Sequence, residues 1–115
     1  MLFRSIGGKK GDMNTIDHEI AHALYYMNEN YKSFMLDVIY KFYQWDRKNY
    51  VKMVKKLKKM GYGENVIKDE VQAYMSTSTK KELVEEFELN MESLKSIRAE
   101  FRKVLSKYNT RKKKS

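Results

Sequence analysis

The chain of 115 residues contains no cysteine, no proline and only five glycines. The lack of cysteine excludes disulfides and thiolate metal ligands, so any metal site must use histidine, carboxylates and water. Because no glycine or proline follows Gly63, the second half of the chain is expected to be helical. A chain of this length forms one domain with a core that needs no cross-links.

Long hydrophobic runs are also missing. No apolar stretch approaches the ~20 residues of a membrane span, and the N-terminus lacks the apolar stretch of a secretion signal. We therefore expect no membrane partner and a cytoplasmic location.

Acidic residues are fewer than basic ones, 15 against 24, which leaves a net charge of +9. Much of the excess lies between Lys52 and Lys59 and in residues 111–114. The lysines of the first run alternate with apolar residues, as on a surface helix. We interpret the charge as a solvated helix face plus a disordered basic tail at 111–115. Nucleic acid, a membrane surface or an acidic partner is the less favoured explanation.

Histidine occurs only twice, and both residues belong to the pentapeptide His18-Glu19-Ile20-Ala21-His22. This is the H-E-x-x-H signature of zinc peptidases. Two histidines four residues apart on a helix project from one face, where their nitrogens can bind one Zn²⁺. Glu19 is then the catalytic residue: it takes a proton from the water and passes it to the leaving amine.

Apolar periodicity predicts a mainly α single domain over residues 1–110, with α+β as the alternative. Residues 1–14 would form an arm, a short strand or at most a hairpin. The predicted helices cover 15–30 (the active-site helix), 32–45, 48–60 and 64–76. Four Ser/Thr residues then break the pattern. Thr79 and Glu82 have the spacing of a capping box that opens the last helix.

The last helix is predicted to be long, over residues 79–109. Two offset seven-residue series support it: Phe87, Leu94, Phe101 and Tyr108, and Leu83, Asn90, Ile97 and Val104. The stretch from 82 to 108 would measure ~40 Å, longer than so small a domain is wide. The helix must then bend around the domain or pair with another chain. We predict a homo-oligomer formed through this helix.

A catalytic zinc site usually has three protein ligands, and no third histidine exists. A carboxylate must complete the set. Glu70 is the best candidate, because apolar neighbours on its helix can turn it inward and the small Ala73 allows close helix approach. Asp69 is the fallback and Glu64 a weaker choice.

The other site residues are less sharply indicated. An oxyanion needs a second donor besides zinc, and Tyr74, Tyr62 or Tyr25 can serve, with Tyr74 preferred. Each histidine also needs an acceptor that orients it, for which Asp17 and Asp69 are candidates.

These residues resemble the gluzincins, peptidases with H-E-x-x-H on an active-site helix and a glutamate ligand on a downstream "glutamate helix". The match covers about residues 15–76, from the pentapeptide to Asp69-Glu70-Val71-Gln72-Ala73-Tyr74. The small size is similar to that of the minimal archaeal members, the minigluzincins. The resemblance implies a small zincin-like fold with His18, His22 and Glu70 as zinc ligands and Glu19 as general base and acid. It also implies weak or latent activity, with a terminal segment able to obstruct the cleft.

The leading hypothesis is thus a zinc endopeptidase acting on peptides or unfolded proteins, weak or regulated by self-association. One alternative is a basic nucleic-acid-binding or regulatory protein with a structural or vestigial H-E-x-x-H. Another is a peptidase restricted to one partner. Only 17 residues precede His18, so at most one short strand fits there to bind substrate, which argues against efficient general proteolysis.

Overall fold

The computed structural model describes residues 14–109, and these residues form six α-helices and no strand. The helices are α1 (Asn14–Met27), α2 (Glu29–Trp45), α3 (Arg47–Lys59), α4 (Ile67–Thr77), α5 (Lys80–Phe87) and α6 (Met91–Tyr108). A 3₁₀ turn, Glu64–Val66, leads into α4. The mainly α prediction is confirmed. The predicted N-terminal arm or strand and the basic tail lie outside the described residues.

Single polar residues separate the first three helices. The Asn28 side chain accepts a hydrogen bond from the Tyr31 backbone N–H, and the Asp46 carboxylate accepts one from that of Asn49. Both are N-caps, which satisfy backbone donors that the first helical turn leaves free. Asn28 therefore begins α2 as well as ending α1, and α2 starts three residues before the predicted Lys32. After α3, Gly61 adopts φ +104°, a conformation that favours glycine.

The helices enclose one core. Helix α4 packs against both α1 and α6, and α2 packs against α1 and, more extensively, α6. The largest fully buried apolar side chains come from every helix except α1: Tyr31, Met35, Phe42, Met53, Leu57, Met75, Leu83, Leu94, Ile97 and Phe101. Helix α2 buries Tyr31, Met35, Val38, Ile39 and Phe42, whereas Phe34 and Tyr43 beside them are exposed.

The prediction of a single long helix over 79–109 is wrong, because the segment forms two helices. The capping box at Thr79 and Glu82 is present, but α5 ends after eight residues. Glu88 adopts a left-handed conformation (φ 57°), and the backbone N–H groups of Glu88 and Leu89 both bond to the Leu83 carbonyl. Such bonds and a buried apolar residue just after the turn are the marks of a helix C-cap. Asn90, the polar member of the heptad series, is the N-cap of α6.

Most of the apolar heptad residues are buried inside the domain. Leu83, Phe87, Leu94, Ile97 and Phe101 are each at most 3% exposed. The longest dimension of the domain is 36 Å, so the turn at Glu88 lets an apolar stripe longer than the molecule fold back onto it. Pairing of two copies through this segment stays a prediction, and its apolar residues no longer support it.

Candidate metal centre

The two histidines lie on the side of α1 that faces α4. Their rings are edge to face, with centroids 4.8 Å apart. Between them on α1, Ala21 is fully buried, and so is Ala73 on α4. Because neither residue has a side chain beyond Cβ, the two helices can approach closely, as predicted from Ala73. The close approach brings α4 carboxylates to the imidazoles.

Glu70 is the carboxylate that joins the histidines. One ligand atom from each of His18, His22 and Glu70 lies within 4.8 Å of the other two, so the group could hold a metal ion. The Glu70 Oε1 atom is 3.5 Å from the Nε2 atom of His22. Two ligands of a tetrahedral zinc, at bonds of ~2.0–2.1 Å, are separated by roughly 3.3 Å. The observed separation therefore suits a pair of ligands to one metal.

Burial sets the electrostatics of Glu70. Its side chain is only 11% exposed, and Oε1 is buried without a hydrogen-bond partner. Burial raises the pKa of Glu70 to about 7, and the nearby Asp69 and Glu19 carboxylates also raise it while His22 lowers it. A buried acceptor without a donor is costly, and a cation is one way to satisfy it.

The other two carboxylate candidates have different surroundings. The Asp69 Oδ1 atom is 3.0 Å from the Nδ1 atom of His22, so Asp69 contacts the far side of the imidazole from Glu70. Glu64 is 82% exposed and pairs with Lys58 at 3.0 Å. Asp69 thus matches the orienting role predicted for it, and Glu70 is the better placed ligand.

The tautomer of each histidine follows from its neighbour. Asp69 carries only acceptors when ionised, so the Nδ1 atom of His22 must be the donor. The Nδ1 atom of His18 lies 2.9 Å from the Thr77 hydroxyl, which already donates its proton to the Ala73 carbonyl at 2.7 Å. His18 therefore donates from Nδ1 as well. In the neutral form of each imidazole, the Nε2 atom then carries the lone pair that a metal requires.

The two imidazoles differ in proton affinity. Burial, together with the neighbouring His22, lowers the pKa of His18 to about 4. Burial also lowers that of His22, but the hydrogen bond with Asp69 and the charges of Asp69, Glu70 and Glu19 outweigh it and raise the pKa overall. His18 is thus neutral across the physiological range, ready to act as a ligand.

Glu19 lies at the solvent side of this group. It is exposed, and yet its charge raises the pKa values of both His22 and Glu70. It is therefore close to the ligands without being one of the three, as a general base must be.

Tyr74 contacts the site through its ring. The ring centroid lies 4.6 Å from that of His18 and 5.1 Å from that of Phe87. Burial and a hydrogen bond with Tyr62 raise the pKa of Tyr74, so its hydroxyl stays protonated at neutral pH. Tyr25 is half-buried with the Lys32 ammonium 5.3 Å from its ring centroid. The oxyanion role of any of these tyrosines stays a prediction.

Thr77 is the orienting residue that sequence reasoning missed. The Ser/Thr run at 76–79 indicated a break, whereas α4 continues through Thr77. Glu70, Ala73 and Thr77 are spaced three and four residues apart, which places them on one helix face. That spacing was the available signal. Asp17, the other predicted partner, accepts a hydrogen bond from the Asn109 side chain at 3.3 Å.

An open cleft of about 320 Å³ lies beside the group, between the start of α1 and the ends of α4 and α6. Its lining includes Asp17, Thr77, Arg102 and Asn109, but none of the three ligand candidates. Because Thr77 contacts the Nδ1 atom of His18, the cleft lies on that side of the ring and not on the side where the ligand atoms converge.

Comparisons with known proteins add no family to this geometry: no family model, curated protein or solved structure matches the chain. Within residues 14–109, none of the helices combines the length and the apolar character needed to cross a membrane.

Proposed function

We propose that the protein is a zinc-dependent peptidase whose metal is held by His18, His22 and Glu70. The observation that carries the proposal is the convergence of these three side chains, with both Nε2 lone pairs free and a buried Glu70 oxygen without a donor. Two imidazoles, one carboxylate and an open position form the ligand set of many catalytic zinc sites. The absence of cysteine fits a hydrolytic rather than a structural zinc site.

Zinc bound there would supply a Lewis acid and lower the pKa of a water molecule to roughly 7. Glu19 would accept the proton of the water that attacks the peptide carbonyl and would later donate this proton to the leaving amine. Asp69 and Thr77 hold the imidazoles in the required tautomer throughout. Tyr74 is the preferred second donor to the oxyanion, because its ring already lies against His18.

Restriction to few substrates is the refinement we favour. A peptide bound in extended form usually pairs with the edge of a sheet, and residues 14–109 contain no strand. The part of the chain that the structure describes thus lacks the usual means of holding an arbitrary sequence. Weak general proteolysis, or efficient cleavage of one partner, is the expected activity.

The test is cleavage of casein by the wild-type protein and by Glu19→Ala, with and without a chelator. We expect chelator-sensitive cleavage that the substitution removes while zinc binding remains, because Glu19 is not a ligand. Glu85→Ala, an exposed glutamate on α5, is the matched control and should cleave like the wild type.

Cleavage by Glu19→Ala at the wild-type rate would remove Glu19 from the mechanism. Zinc binding without cleavage of casein would direct the search to a single protein partner. Absence of zinc binding would refute the proposal and leave the basic binding or regulatory protein as the better hypothesis.

A further inference from the structure

A buried amide links the two helices that carry the metal ligands. Gln72, on α4, is fully buried. Its Nε2 atom donates to the Ala21 carbonyl on α1 and to the Asp69 Oδ1 atom, both at 3.0 Å. Its Oε1 atom accepts a hydrogen bond of 2.7 Å from the hydroxyl of Tyr31. This one side chain therefore joins α1, α2 and α4.

The three partners allow only one orientation of this amide. If the Gln72 amide were flipped, its oxygen would face two other oxygens, those of Ala21 and Asp69, with no proton between them. In this orientation the Tyr31 hydroxyl donates to Oε1. Tyr31 is itself fully buried, and the Asn28 cap holds its backbone at the start of α2.

The chain of hydrogen bonds ends at the metal group. The Asp69 Oδ1 atom accepts a hydrogen bond from Gln72 and a second one from the Nδ1 atom of His22. The hydrogen bond to the Ala21 carbonyl contacts the backbone of the histidine motif at the residue before His22. Gln72 thus acts on His22 twice, through the carboxylate behind the ring and through the backbone that carries it.

We infer that Gln72 and Tyr31 are positioning residues for the metal centre, which fix Asp69 against His22 and set α1 against α4. The inference rests on the proposed metal site. Neither residue has a charge, and Tyr31 is joined to the ligand His22 through three hydrogen bonds in series. Their effect is therefore expected on metal affinity, without a role in the chemistry itself.

The test is the zinc affinity of the full-length protein, measured by competition with a chromophoric chelator. Tyr31→Phe removes the hydroxyl and keeps the ring. Loss of a direct orienting contact lowers metal affinity by ~10–100-fold, and the more remote hydroxyl is expected to cost about threefold to tenfold. Tyr108→Phe is the control, since its ring packs edge to face on Tyr31, with centroids 5.5 Å apart. It should bind zinc like the wild type.

The double variant separates positioning from general stability. In an Asp69→Ala background, Tyr31→Phe should cause a smaller loss of zinc affinity than in the wild type, because one of the two routes through which it acts is gone. An equal loss in both backgrounds would overturn the inference in favour of a structural role. So would wild-type affinity in Tyr31→Phe, or an equal loss in Tyr108→Phe. A wild-type protein that binds no zinc would instead refute the metal site, and the inference with it.

Discussion

Two buried polar clusters in this molecule use similar side chains to different ends. One lies between α1 and α4 and contains the histidines, Asp69 and Glu70. The other joins the α2–α3 junction to the turn between α5 and α6. There, Asp46 accepts hydrogen bonds from the Asn49 and Ser93 side chains, at 2.7 and 2.9 Å. Asn49 in turn exchanges two hydrogen bonds with the backbone of Asn90, at 2.9 and 3.0 Å.

The clusters differ in whether every buried carboxylate oxygen has a hydrogen-bond donor. In the Asp46 cluster every carboxylate oxygen has a donor, and the result is a joint between helices. In the histidine cluster, the Nδ1 atoms of His18 and His22 donate to Thr77 Oγ1 and Asp69 Oδ1. The Oε1 atom of Glu70 has no donor. A buried cluster that leaves lone pairs converging is arranged for a ligand, and one that satisfies them all is arranged for stability.

The largest expected effect is the loss of zinc affinity in Glu70→Gln. The amide keeps the shape of the side chain but is a poor zinc ligand, so we expect zinc affinity to fall by more than the ~10–100-fold typical of an orienting residue. The measurement is chelator competition. Glu85→Gln, an exposed change of the same kind, should bind zinc normally. Unchanged affinity in Glu70→Gln would return Asp69 to consideration as the ligand.

The second effect is expected in the Asp46 cluster, where a substitution should lower the stability of the fold and leave zinc affinity unchanged. Asp46→Ala removes the N-cap of α3 and the carboxylate that accepts hydrogen bonds from the Asn49 and Ser93 side chains. We expect the free energy of unfolding to fall by about 2–3 kcal/mol, from the cap and the lost hydrogen bonds together. Urea unfolding measures it, and Asp37→Ala, at an exposed position of α2, serves as control. A marked loss of zinc affinity in the folded Asp46 variant would contradict the separation of the two clusters.

The smallest effect should come from Thr77→Val, which keeps the shape and removes the acceptor for His18. The expected loss in zinc affinity is about tenfold, at the lower end for an orienting contact, because a hydroxyl polarises the imidazole less than a carboxylate. Thr15→Val, an exposed site on α1, is the matched control. A variant as tight as the wild type would show that packing against Tyr74 is enough to orient His18.

The metal group could be anticipated from sequence because its signals are local. His18, Glu19 and His22 follow from one pentapeptide. The lack of any other ligand type requires a carboxylate, and the apolar pattern around Glu70 made it the first choice, with Asp69 and Glu64 as alternatives. Gln72 has no such signal, and Thr77 has only its spacing from Glu70 and Ala73. They are polar residues on a helix whose partners are 51 and 59 residues away in sequence, and only the packing of α1 on α4 gives them a role.

The error in the last helix has a related cause. A heptad pattern reports which face of a helix is apolar, but not whether that face is covered by another chain or by the same one. Here the left-handed turn at Glu88, with Leu89 buried after it, folds the stripe into the domain's own core.

The sequence by itself determined the helical class, the capping box at Thr79 and the side chains available for a metal, because these depend on local propensity and composition. The tertiary structure decided which carboxylate faces the histidines, which tautomers they adopt and where the last apolar stripe is buried. Those outcomes depend on contacts between residues far apart in the chain, whose distances only the packed helices define.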